Sequence, residues 1–192
     1  MSAVGLPALP APPISAGCVR AWRDRPYRES LPLRDGRRVM LRPAHHSDAP
    51  ALQQFFFSSL SPRARLLRFH GAINQLPDSA LRAMTTQIPR RHVALVALTT
   101  TDDGLQHLLA EARYVVEDEG EAEFAIAVAD AWQGLGLGRA LVQRLAAHAR
   151  SEGIPVLHGA VVPGNEPMLR LMGSLGAQLH GHAPEVKVRL TL

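Results

Sequence analysis

Val39 and Leu41 alternate with Arg38, Met40 and Arg42 behind an Asp35-Gly36 turn, and this two-residue period predicts a strand. Ser47-Asp48 then caps a predicted helix through Phe55-Phe56-Phe57, with Pro50 inside its first turn. Ser61-Pro62 repeats the signal and opens a basic helix carrying Arg63, Arg65 and Arg68, and Asp78 opens another that carries Leu81 and Met84. From His92 the pattern changes period. His92 to Thr99, Leu108 to Val116 and Glu121 to Ala129 read as three strands, joined by turn chemistry at Asp102-Asp103-Gly104 and by a charged hairpin turn from Glu117 to Gly120. In the third strand Phe124, Ile126 and Val128 share one face, and Glu123, Ala125 and Ala127 share the other.

A glycine-rich loop follows. After it Leu137, Leu141, Leu145 and Ala149 recur every fourth residue and draw one apolar helical stripe, which Gly153 ends. Val156 to Val162 reads as a strand, Asn165 caps a helix running to about Ser174, and two short strands finish the chain near Gln178 to Gly181 and Glu185 to Leu192. Strand–helix–strand from Glu121 to Val162 requires a parallel pair, whereas the hairpin before it requires antiparallel neighbours. The expectation is a mixed α/β domain.

Composition narrows the field. With 192 residues, 46% hydrophobic and 20% charged, the chain fits one globular domain. Met1 to Val19 carries no charged side chain, but Pro7, Pro10, Pro12 and Pro13 break any spanning helix there. Residues 1–30 are expected to form a mobile Pro/Ala-rich arm, with Trp22 and Tyr27 docking its end, and residues 31–192 the domain. No membrane partner is expected. The lone cysteine, Cys18, excludes an intrachain disulfide and a cysteine-rich zinc site, and suits a reducing cytoplasm. His45-His46 and His180-Gly181-His182 lack cysteine partners or carboxylates at ligand spacing, so no metal is expected.

The net charge is +4, and every basic residue except Lys187 is arginine. Arginine forks onto phosphate oxygens, which suits an anionic ligand. Nucleic acid is a poor candidate, because the arginines form no run and aromatics are scarce. The anion signal is sharpest at Gln133-Gly134-Leu135-Gly136-Leu137-Gly138-Arg139, between a strand and a helix start, where glycines admit close backbone approach and unpaired N–H groups await phosphate. A dinucleotide fingerprint would need another glycine where Arg139 or Leu141 stands, and a P-loop would need a lysine. Gln-x-x-Gly-x-Gly remains.

Gln133 to Gly138, the preceding Glu123-Phe124-Ala125-Ile126-Ala127-Val128, the later Asn165-Glu166-Pro167-Met168-Leu169-Arg170-Leu171 and Leu175-Gly176-Ala177 together resemble the GNAT N-acetyltransferases over roughly Leu33 to Leu192. Leu41-Arg42-Pro43 and Leu60-Ser61-Pro62 with Arg65, Leu67-Arg68-Phe69 look more particularly like the GNAT domain of bacterial protein-lysine acetyltransferases. The resemblance implies an α/β fold with a mixed, mostly antiparallel sheet, a splayed parallel strand pair and flanking helices. It implies acetyl-CoA as cosubstrate and an amine acceptor, a protein lysine or a small molecule, and it is compatible with a homodimer. Backbone groups of Ala127 and Val128 would pair with the pantetheine arm, and Gln133, Gly134, Leu135, Gly136, Leu137, Gly138 and Arg139 would hold the pyrophosphate. Asn165 would help hold the cofactor-side geometry. Glu123 occupies the position of the family's usual base, with Glu111 and Glu121 as other carboxylates nearby. Met172 stands where many members carry the tyrosine that protonates the leaving thiolate, so a non-catalytic acyl-CoA-binding regulatory module is the alternative reading.

Overall fold

A computed structural model describes residues 27–117 and 120–192. Of the arm expected over residues 1–30, residues 1–26 lie outside the described residues. Its end is in the sheet: Tyr27 is buried and Glu29–Pro32 forms strand β1. The strands that follow are β2 (Arg38–Pro43), β3 (His92–Thr100), β4 (Gln106–Val116), β5 (Ala122–Val128), β6 (Val156–Val161), β7 (Gln178–His180) and β8 (Val186–Thr191). Helices α1 (Ala49–Gln54), α2 (Pro62–Phe69) and α3 (Asp78–Thr85) separate β2 from β3, α4 (Leu137–Ser151) joins β5 to β6, and α5 (Glu166–Gly173) precedes β7.

The eight strands make one sheet in the order β1-β2-β3-β4-β5-β6-β8-β7. Every neighbouring pair is antiparallel except β5 and β6, the pair whose crossover helix demands the parallel arrangement. Side-chain alternation then sorts the core into two layers. Phe124, Ile126 and Val128 face the layer under α4, where Leu137, Leu141 and Leu145 are fully buried; each such leucine contributes about 1.5–3 kcal/mol relative to an exposed position. Ala127 faces the other layer, with Leu52, Phe55, Phe56, Leu81 and Met84 from the segment between β2 and β3.

The helix expected across the triple phenylalanine is divided. His46–Asp48 is a 3-10 turn, α1 follows, and Phe55–Ser59 widens into a π-helical turn in which Phe55 and Phe56 are both buried. Arg144 of α4 grips Glu29 of β1 through two hydrogen bonds, at 2.5 and 3.1 Å, tying the first strand to the long helix. No helix among the described residues is long and apolar enough to cross a membrane.

Candidate active site

β5 and β6 pair only at Ala122–Leu157 and Glu123–His158. Beyond Glu123 the strands part, and a cavity of about 950 Å³ opens between them, bounded by α2, the glycine loop and the first turns of α5. The backbone register decides what the opening offers. Ala129 N–H donates to the Leu109 carbonyl at 2.7 Å, continuing a ladder in which Ala127 faces Glu111 and Ala125 faces Arg113. An antiparallel ladder turns alternate residues to opposite edges. Ala125 and Ala127 therefore direct their peptide groups to β4, while Ile126 and Val128 direct theirs to the opening. This corrects the expectation that Ala127 offers backbone groups to a ligand; its methyl lines the cavity, but its N–H is in the sheet. Gln133 also differs from a simple phosphate contact. Its Nε2 donates to the Val128 carbonyl at 3.0 Å and braces the end of β5.

The glycine loop closes one end of the cavity. Gly134 and Gly136 have φ of +73° and +92°, and Gly136 is the N-cap of α4. A left-handed N-cap aims the following N–H groups outward, and only glycine adopts it without strain. The first α4 donor with a backbone partner is Ala140, which bonds the Gly136 carbonyl at 3.0 Å. The N–H groups of Leu137, Gly138 and Arg139 have no backbone partner among the described residues and stand at the positive end of a fifteen-residue helix. Leu135 and Leu137 send their side chains into the core, so only their backbone is available to a ligand. Arg139 lines the cavity and donates to Ser174 Oγ. Asn165 caps α5 by accepting from Met168 N–H at 3.4 Å, and also lines the cavity.

Arg34 is a residue the sequence reading missed. It sits in the β1–β2 hairpin, its N–H donates to the Leu135 carbonyl at 3.2 Å, and its side chain lies against Gly136. Only the fold brings that hairpin to the loop. The donor set suits a pyrophosphate at the loop and an amide-bearing chain along the edge of β5, which is the shape and polarity of an acyl-CoA.

Three carboxylates compete for the role of base, and their surroundings separate them. Glu123 is exposed and lines the cavity, and no ion pair among the described residues engages it. Glu111 is on the same sheet face but fully buried beneath α2, accepting from Arg113 at 2.6 Å and from Arg68 at 3.2 Å. Burial alone would raise its pKa, but the two guanidiniums outweigh that and hold the carboxyl below its usual range. It is committed to its partners and poorly basic. Glu121 is bound by Arg189, whose hydrogen bonds hold its pKa down. Met172 is fully buried in the core and does not line the cavity, and no tyrosine among the described residues lines it either.

A family model described as an acetyltransferase (GNAT) domain matches residues 38–178. An acetyltransferase of Pseudomonas aeruginosa is 32% identical over 144 residues, which is 75% of this chain and 77% of the relative. An L-methionine sulfoximine/L-methionine sulfone acetyltransferase of Pseudomonas paraeruginosa is 36% identical over 67 residues, covering 35% of this chain and 39% of that protein. Among solved structures, the GNAT domain of S. lividans PAT superposes with a TM-score of 0.77 at 28% identity, covering 86% of this chain and 97% of that one.

Proposed function

The chain belongs to the GNAT acetyltransferase family, and on that premise we propose that it transfers the acetyl group of acetyl-CoA to a primary amine, of a protein lysine or a small molecule, by direct attack in a ternary complex. The observation that carries this reading is the opening between β5 and β6, edged by the Ile126 and Val128 backbone groups that turn away from β4 and ended by the glycine loop. Bound acetyl-CoA supplies an acetyl thioester. The N–H groups of Gly134 to Arg139 hold its pyrophosphate, with Arg34 and Arg139 adding charge. The Ile126 and Val128 backbones orient the pantetheine arm, and an N–H there polarises the thioester carbonyl as a fixed donor. Asn165 holds the facing helix end.

The acceptor nitrogen forms a bond to the carbonyl carbon, the carbon–sulfur bond breaks, and the sulfur leaves with the electron pair. The proton lost by the amine passes to Glu123, directly or through one water. Glu123 suits the task because it lines the cavity with no ion-pair partner among the described residues, unlike Glu111 and Glu121. Without a tyrosine at the cavity wall, water protonates the thiolate.

That same wall favours a second reading, a non-catalytic acyl-CoA-binding regulatory module. Two measurements separate the readings. A thermal-shift panel with acetyl-CoA, CoA, NAD and ATP should give stabilisation by the first two alone. Acetyl-CoA with an amine screen should then release free thiol. Binding without release under every amine supports the regulatory module, and no stabilisation by acetyl-CoA defeats both readings.

A further inference from the structure

The buried charges beneath α2 do not balance. Glu111 is a single carboxylate between two guanidiniums, those of Arg68 and Arg113, whose side chains are only 11% and 19% exposed. A buried ion without full compensation is costly, so such a surplus calls for a counter-charge. Arg68 lines the cavity, and its Nε has no hydrogen-bond partner among the described residues. The rings of Phe69 and Phe56 lie 5.1 and 5.9 Å from its guanidinium carbon, which softens the charge but accepts no hydrogen bond. Burial pulls the Arg68 pKa down and Glu111 opposes that, yet arginine stays charged in proteins. Glu123 shares the sheet face and adds to the field at Arg68, but no ion pair joins them.

Two carboxylates line the cavity: Asp130 accepts from Ser61 N–H and from Gln133 Nε2, each at 3.3 Å, which leaves Glu123 as the one that no ion pair or hydrogen bond engages among the described residues, across from Arg68, a guanidinium with spare donors. Arg63 and His70, also from the α2 segment, line the same wall, and that segment contributes no acidic group. A plain ammonium would satisfy Glu123 and leave the surplus of two guanidiniums over the single carboxylate of Glu111 in place. A molecule carrying an amine and an anion side by side satisfies both. When Glu123 takes up the amine proton, the anion still faces Arg68, and the site does not acquire a bare buried cation.

We propose that the acceptor is a small zwitterion, an amine with a carboxylate a few bonds away as in a free amino acid, whose carboxylate is received by Arg68. This narrows the acceptor and rests on the acetyl-transfer reading above. The planar fork of arginine suits a carboxylate held through two hydrogen bonds.

The test compares kcat/KM for acetyl-CoA-dependent thiol release across the common L-amino acids and their α-carboxamides, with end-blocked lysine peptides bearing or lacking a neighbouring aspartate. The wild type should prefer a free acid over its matched amide by at least ~10-fold, as expected for loss of a charge-assisted hydrogen bond. Arg68→Met should collapse that ratio towards one. Because it strands Glu111, the double variant Arg68→Met with Glu111→Gln is measured beside it, with circular dichroism and acetyl-CoA affinity reporting the fold. Equal use of acid and amide by the wild type overturns the proposal, as does a ratio that survives loss of Arg68. Preference for the lysine peptides, regardless of the neighbouring aspartate, also overturns it but leaves acetyl transfer standing. No thiol release with any amine defeats the acetyl-transfer reading itself.

Discussion

Glu111→Gln separates a structural carboxylate from a catalytic one. The substitution keeps the side chain's shape but leaves Arg68 and Arg113 without the buried charge they share. Removing one partner of a buried ion pair costs about 3–5 kcal/mol. For a chain of this length each kcal/mol lowers Tm by about 2–4 °C, so the variant should melt about 6–20 °C below the wild type. Glu123→Gln removes an exposed carboxylate that no ion pair among the described residues engages, so its Tm should stay within ~2 °C. Thermal unfolding followed by circular dichroism measures both, and thiol release per folded molecule measures turnover. Glu111→Gln should cost stability and acceptor KM, while Glu123→Gln should cost kcat. An unchanged Tm with abolished kcat in Glu111→Gln would refute the reasoning and move the base to Glu111.

Acid should weaken the Glu111 contribution. Burial raises its pKa and the two guanidiniums lower it further, for a net decrease, so the stabilisation is full above the ordinary carboxylate range near ~4.3 and is lost as pH falls through the lower folded value; the Tm gap between wild type and Glu111→Gln should therefore narrow below about pH 4, and a gap constant with pH would count against it. Gly138→Ala meets only ordinary contacts, the nearest being Leu171 at 3.5 Å, so the fold should hold; in the proposed complex the pyrophosphate rests against this turn, so calorimetry should show acetyl-CoA affinity reduced by about 10-fold or more, and unchanged affinity would exclude close approach there. Arg34→Met should weaken acetyl-CoA binding more at low salt than at high salt, as screening predicts for an exposed cation, and an effect independent of salt would argue against a phosphate contact.

Much of the architecture is written in local pattern. The four-residue stripe of α4, the alternation of β5 and the strand–helix–strand order each specify one element or one connection, and together they require the parallel pair that opens the cavity. The glycine loop is equally legible, since positive φ and close approach are local demands. What could not be read depends on partners distant in the chain. Glu111 and Glu123 belong to adjacent strands and face the same way; only the docking of α2, with Arg68, buries one and leaves the other exposed. That Ile126 rather than Ala127 turns its N–H to the opening depends on the ladder with β4, which side-chain alternation does not specify. Arg34 reaches the loop because a hairpin a hundred residues earlier folds against it. Met172, read as a departure at the reacting centre, belongs to the core.

The most direct test of the account is the kcat of Glu123→Gln beside the wild type, with acetyl-CoA and the best amine from the screen, measured from neutral to alkaline pH. General base catalysis of ordinary strength predicts a loss of roughly 10²–10⁴-fold at neutral pH. Acetyl-CoA affinity should be unchanged, because the proposed cofactor contacts lie further along β5 and in the loop. The loss should shrink as pH approaches the pKa of the amine, where the acceptor arrives already neutral. Wild-type turnover by Glu123→Gln at neutral pH would contradict the assignment of this carboxylate as the base.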